Sequence, residues 1–180
     1  MRSLPSTRRS CSRNSRRRRR EKRTGAFLTV EQAIAASGIE AREARLLLAE
    51  VSGFSQASLL ASLRSEVPFP VEDAFLELAR RRREGEPVAY LVGRKEFYGL
   101  DLAVNPSVLI PRPETELLVD LALEMQFETA LDLGTGSGAI ALALKSQRPA
   151  VRVVAVEADL SALMTAKRNA SITPEYRERD

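Results

Sequence analysis

Asp132-Leu-Gly134-Thr-Gly136-Ser-Gly138, followed 23 residues beyond Gly134 by Glu157, is the constellation in this chain best suited to chemistry. Side chains in such a loop would block a ligand lying across the ends of neighbouring strands. Glycines let the backbone approach closely and adopt positive φ. The helix that follows begins with N–H groups lacking intrahelical partners. A carboxylate at Glu157 has the capacity to accept both hydroxyls of a ribose. Three readings of these residues compete. A dinucleotide site would place a pyrophosphate on the helix N-terminus through G-x-G-x-x-G, whereas the spacing here is G-x-G-x-G with Asp132 two residues before the first glycine. An anion at that position favours a cofactor with an ammonium and a sulfonium, S-adenosylmethionine, over a diphosphate. The third reading is a glycine turn that is purely structural.

Positioning these residues requires a strand, a tight loop, a helix, a second strand ending in an acid, and a second helix. The sequence from Thr129 supplies them in that order. Ala130–Leu133 reads as a short strand, Gly134–Gly138 as the loop, and Ala139–Leu144 as the start of a helix. After a turn at Pro149, Val151–Val156 is a β-branched strand running into Glu157, and 160–170 reads as a helix. This is a βαβ unit of a doubly wound α/β fold.

The segment from Gly25 to about Glu86 is helical in pattern. Thr29-Val-Glu-Gln32 fits a capping box, with Gly38 as the stop. Ala44, Leu47, Leu48 and Val51 recur at i, i+3, i+4 and i+7, predicting a helix over 40–51 that Gly53 ends. A third helix is expected over 55–63. A fourth follows Pro70, with Val71, Phe75, Leu78 and Ala79 on one face and Arg80–Arg83 in its last turn, a quartet that reads as a solvated helix end. Gly85-Glu-Pro87 breaks the pattern, and two extended runs, VAYLVG and KEFYGLDLAV, predict a β-hairpin over 88–104. Pro113 suits the first turn of another helix, expected to carry Leu117, Leu118, Leu121 and Ala122 inward.

Composition removes several function classes. The 180 residues contain no His, which excludes His-activated nucleophiles, His proton shuttles and His metal sites. The single Cys, Cys11, makes neither a disulfide framework nor a zinc cluster, so no metal site is expected. No apolar run approaches the length of a membrane span, and a cytoplasmic, monomeric protein is expected. The net charge of +4 is unevenly spread. Ten Arg, one Lys and one Glu give residues 1–24 a net +10, leaving −6 on the other 156. That tail is too poor in apolar residues to bury a core. It reads as a functionless extension, a phosphate-binding arm for nucleic acid, or a transit peptide.

Four segments together carry a resemblance. Gly85-Glu-Pro-Val-Ala-Tyr-Leu-Val-Gly93, Glu96-Phe-Tyr-Gly99, Val108-Leu-Ile-Pro-Arg-Pro-Glu-Thr-Glu116 and 131–144 resemble the HemK-like family, the peptide chain release factor N5-glutamine methyltransferases. The resemblance implies a Rossmann-like class I methyltransferase domain preceded by a small α-helical bundle and a β-hairpin linker. The expected divisions are a tail over 1–24, a helical release-factor-docking domain over 25–86, the hairpin linker over 87–108, and the first part of the methyltransferase domain over 109–180. It implies S-adenosyl-L-methionine as cofactor, held by Gly134, Thr135, Gly136, Ser137, Gly138 and Glu157. Glu157 takes the place of the family's ribose-binding acid, usually Asp. Arg112, Glu114 and Thr115 are weaker site candidates, with a structural link between domains as their alternative.

The implied partner is a release factor, modified on the Gln of its Gly-Gly-Gln motif. The family's Asn-Pro-Pro-Tyr motif, which grips the substrate amide, has no counterpart in this sequence. No catalytic residue is therefore assigned, and a C-terminally truncated, inactive fragment is expected. Two alternatives stay open: a nucleic-acid amino-group methyltransferase using the Arg-rich tail, and a non-catalytic module that binds release factors.

Overall fold

A computed structural model describes residues 27–173. The Arg-rich tail with its three readings lies outside the described residues, as does 174–180.

The helical segment is built as its spacing predicts. Helix α1 (Val30–Ala36) opens on the capping box, in which the Thr29 hydroxyl accepts the Gln32 N–H while the Gln32 side chain accepts the Thr29 N–H. Helix α2 (Ala41–Ser52) ends at Gly53 with φ 72°. Ser55 caps α3 (Gln56–Ala61). Helix α4 (Phe69–Arg83) starts before Pro70 rather than after it, because a proline in the first turn removes an N–H that needs no helical partner. Val30, Ala33, Ala44, Leu47, Leu48, Leu59, Val67 and Phe75 form the core of this cluster.

The arginine quartet is not a free basic patch. Arg80 pairs with Glu77 and Glu84, Arg81 with Glu86, and Arg82 with Glu43 of α2, while the Arg83 guanidinium donates to the Ser37 carbonyl. Each guanidinium is taken up by the protein's own acceptors, so the quartet ties α4 to α1 and α2.

The segment expected as the first strand of the hairpin is instead a helix, α5 (Val88–Val92), begun at Pro87 and ended by Gly93 with φ 78°. One turn of helix lets Val88, Leu91 and Val92 pack on the helical core. It also sends Ala89 and Tyr90 to a second group containing Val104, Val108 and Ala162, where the Tyr90 hydroxyl donates to the Val108 carbonyl at 2.7 Å. A strand could not offer these residues to two cores in that grouping. The hairpin consists of Arg94 and the second run: β1 (Arg94–Phe97) pairs antiparallel with β2 (Leu100–Ala103). Tyr98 and Gly99 both have positive φ, 51° and 77°, as a two-residue type I′ turn requires.

A single 3₁₀ turn (Pro113–Thr115) leads into α6 (Glu116–Glu124). The inward face of α6 differs from the expected one. Val119 is fully buried and Ala122 and Leu123 pack beside it, whereas Leu117, Leu118 and Leu121 are at least half exposed. Polar anchors set this rotation. Glu116 accepts the Tyr98 N–H at 2.9 Å, and Asp120 accepts the Tyr98 hydroxyl at 2.7 Å. At the far end the Arg148 guanidinium caps the Leu123 and Met125 carbonyls. Residues 116, 119, 120 and 123 share one helical face, so holding Glu116 and Asp120 on the hairpin turns Val119 onto Phe97.

The remainder is the expected βαβ unit. Strands β3 (Thr129–Leu133) and β4 (Arg152–Val156) are parallel, with Leu133 opposite Val156. Helices α7 (Ala139–Gln147) and α8 (Leu160–Ile172) follow them. Helix α7 packs with α6 and the hairpin around Phe97, Leu102, Val119, Leu142 and Ala143. Among the described residues no helix is long and apolar enough to cross a membrane.

The packing predicts a contrast. Phe97→Ala removes a side chain that is 1% exposed and will cost about 3–5 kcal/mol. Leu118→Ala will stay within about 0.5 kcal/mol. Denaturant titration of the two variants checks it, and equal losses would mean that α6 is rotated as the sequence pattern alone suggests.

Candidate functional site

The parallel register brings the glycine loop and Glu157 together. Leaving β3, the chain turns so that the Gly134 and Thr135 N–H groups both donate to the Val156 carbonyl, at 2.8 and 3.1 Å. Glu157 is the next residue after Val156, so its carboxylate stands beside the loop. One oxygen accepts the Gly136 N–H at 2.9 Å, and the other accepts the Ala158 and Asp159 N–H groups at 2.9 and 3.1 Å. These backbone donors, Asp159 and Gly136 foremost, hold the Glu157 carboxyl below its ordinary value.

The loop turns its two hydroxyls inward. Thr135 is buried and donates to the Asp132 carboxylate at 2.7 Å, and Ser137 is buried beside α8. Only backbone and glycine surface face outward. Gly134 and Gly136, with φ of 74° and 56°, have open space where a Cβ would stand. Gly138 differs: a Cβ there would come within 3.2 Å of Leu142 Cδ1 and 3.5 Å of the Ala166 Cβ. The first two glycines thus leave room on the open side, and the third lets α8 approach. Gly138, with φ 83°, also forms the N-cap of α7 and offers no side chain to its first-turn N–H groups.

All six residues singled out as cofactor-binding candidates, Gly134, Thr135, Gly136, Ser137, Gly138 and Glu157, fall in this one corner. Thr135 and Ser137 are buried, and their bonds fix the path of the loop rather than its surface. Arg112, Glu114 and Thr115 are not joined to it by any side-chain hydrogen bond or ion pair among the described residues. Sequence reasoning missed the role of Glu116 as the anchor of the hairpin turn, although its place three residues after Pro113 in a helical start marks it as a first-turn residue. It also missed Asn169, which is fully buried on α8 and donates to the Ser137 carbonyl at 2.8 Å. An Asn at helical spacing from Ala162, Thr165 and Ala166 was the signal available.

The arrangement suits a ligand that presents hydrogen-bond acceptors to backbone N–H groups at the start of α7 and hydroxyls to a carboxylate at the end of β4. The open space at Gly134 and Gly136 fits such a group.

Comparison with known proteins finds two family models on the chain. Residues 26–93 match the PrmC N-terminal domain and residues 113–174 the methyltransferase small domain. The release factor glutamine methyltransferase of Burkholderia pseudomallei is 44% identical over 146 residues, 79% of this chain and 51% of that protein. Its counterpart in Bordetella pertussis is 47% identical over 141 residues, 76% of this chain and 52% of that protein. The one in Escherichia coli is 45% identical over 132 residues, 72% and 48% respectively. The chain spans about half the length of the curated relatives it matches. Two matched domains in this order, with 44–47% identity to these enzymes across both, place the chain in the release factor glutamine methyltransferase family.

Proposed function

We propose that the loop Gly134–Gly138 and Glu157 bind S-adenosyl-L-methionine, and that the protein serves methylation of the side-chain amide N5 of the Gln in the Gly-Gly-Gln motif of a peptide chain release factor. The observation that carries this reading is the Glu157 carboxylate set against a loop whose glycines leave open space. It is supported by the family to which the chain belongs.

The roles follow from charge and geometry. The loop and the first turn of α7 offer N–H groups to a carboxylate. Asp132 suits a neighbouring ammonium, since its Oδ2 is held by Thr135 while its Oδ1 has no partner among the described residues. Glu157 takes ribose hydroxyls by exchanging them for some of its backbone donors. S-adenosyl-L-methionine, held by the loop and Glu157, would supply an activated methyl group, its sulfur leaving as the neutral thioether, to an amide nitrogen whose proton would pass to water. What the protein must add is positioning. The helical segment 25–86 is proposed as the docking surface for the release factor, with α5 connecting it to the site.

Calorimetric titration with S-adenosylhomocysteine tests the cofactor assignment. The chain will bind it, and Glu157→Ala will weaken binding roughly 10- to 100-fold, the worth of a charged hydrogen bond. Absence of binding by the unaltered chain would end the cofactor reading. The substrate is checked in the cell by deleting the gene and weighing the release factor's Gly-Gly-Gln peptide. Its methyl group will be lost, and its persistence would exclude this substrate.

Glu157 also sets a pH dependence. Its folded-state pKa is lowered, so the grip on the loop is fully present above the ordinary glutamate value and is lost as pH falls through the lowered one. The Glu157 carboxyl carbon and the Gly136 amide, followed together by NMR on acidification, will shift in concert below about pH 4.5. A Gly136 amide indifferent to that titration would show that the two are not bonded.

A further inference from the structure

Asn169 is fully buried, and every hydrogen-bonding group of its side chain is used. The Oδ1 accepts the Ala103 N–H at 2.8 Å, and the Nδ2 donates to the Ala103 carbonyl at 3.0 Å. The amide thereby pairs with Ala103 as a neighbouring strand would, at the end of β2 where the hairpin has no further strand residue. The second Nδ2 hydrogen reaches the Ser137 carbonyl at 2.8 Å. One side chain thus joins the hairpin's exit to the middle of the glycine loop, two segments more than thirty residues apart.

The Ser137 carbonyl is the part of the loop most in need of such a partner. Ser137 is 3% exposed, so its carbonyl is turned into protein, where an unpaired acceptor costs about 1–3 kcal/mol. The peptide that follows it is pinned from the other side, because the Gly138 N–H donates to the Thr135 carbonyl at 2.8 Å. With both ends of that peptide held, Gly138 keeps its positive φ and α7 starts where it does. Asn169 holds the inner side of the loop while Glu157 holds Gly136 on the other. One turn earlier on α8, Thr165 accepts from Asn105 at 2.9 Å. That bond ties the same helix to the same hairpin exit without touching the loop.

We propose that Asn169 is a positioning residue for the cofactor loop: its amide fixes the Ser137–Gly138 peptide from α8 and makes the loop's binding conformation depend on the hairpin. The proposal rests on the cofactor reading for its effect on affinity, though not for its effect on the loop itself. It follows that loss of Asn169 loosens residues 136–138 selectively, whereas loss of the Thr165 bond loosens only the hairpin exit.

The test compares the full chain with Asn169→Ala and Thr165→Val by two measurements, amide hydrogen exchange and calorimetric titration with S-adenosylhomocysteine. Asn169→Ala will raise exchange at Gly136 and Gly138 and weaken binding roughly tenfold, the scale of one lost hydrogen bond. Thr165→Val will leave both unchanged. Loop exchange in Asn169→Ala equal to that of the unaltered chain, or the same loop loosening in both variants, would overturn the proposal. If the unaltered chain does not bind the probe, the cofactor reading fails and the exchange comparison still decides the role of Asn169. If Asn169→Ala does not fold, through-bond coupling between the Asn169 side-chain nitrogen and the Ser137 carbonyl carbon decides instead. Its presence, with Asn169 NH₂ protons that exchange slowly, supports the assignment, and its absence overturns it.

Discussion

The register of two parallel strands governs this site. With Leu133 opposite Val156, the Val156 carbonyl receives both N–H groups with which the loop begins, and the next residue is the carboxylate that holds Gly136. A slip of one residue would send alternate side chains to the opposite face and carry Glu157 away from the loop. Burial of Ala139, Leu142 and Ala143 of α7 against the hairpin and α6 opposes such a slip, since it fixes where the loop must end. The chemistry at the surface is therefore held by an apolar core on the far side of the same two strands.

That dependence explains what was legible in the sequence. The βαβ unit was readable because its signals are local and agree with one another: glycines at fixed spacing, a β-branched run, and an acid directly after it. The capping box at Thr29 and the stops at Gly38 and Gly53 were readable for the same reason. The segment 88–92 misled because Val and Tyr favour strands, and five residues are too few for periodicity to arbitrate. Its helical state is decided by Pro87, by Gly93, and by two cores that lie on opposite sides of it. The inward face of α6 was hidden likewise. Its leucines outnumber its valine, but the bonds from Tyr98 to Glu116 and Asp120 come from a hairpin turn 18 and 22 residues away.

Within the candidate site, the residue positions were legible and the use of their side chains was not. The pattern of glycines marked the loop, yet nothing in it tells that Thr135 and Ser137 turn inward or that Glu157 is bound by three backbone N–H groups. Those facts depend on the path of the chain between β4 and α8. Asn169 is the extreme case, since its two partners come from segments far from it in sequence. The arginine quartet shows the reverse: a composition that invites a phosphate-binding reading is taken up residue by residue, Arg80, Arg81 and Arg82 by nearby acids and Arg83 by the Ser37 carbonyl.

The close approach of Gly138 to Ala166 carries a consequence for how this corner can change over time. The two positions share one small volume, with the absent side chain of one resting 3.5 Å from the methyl of the other. Neither can grow unless the backbone of its neighbour retreats, and that neighbour is either the loop or the helix bearing Asn169. Variation is therefore one-sided: the positive φ of Gly138 and the nearby Leu142 hold that position to glycine, and Ala166 cannot enlarge without detaching the helix.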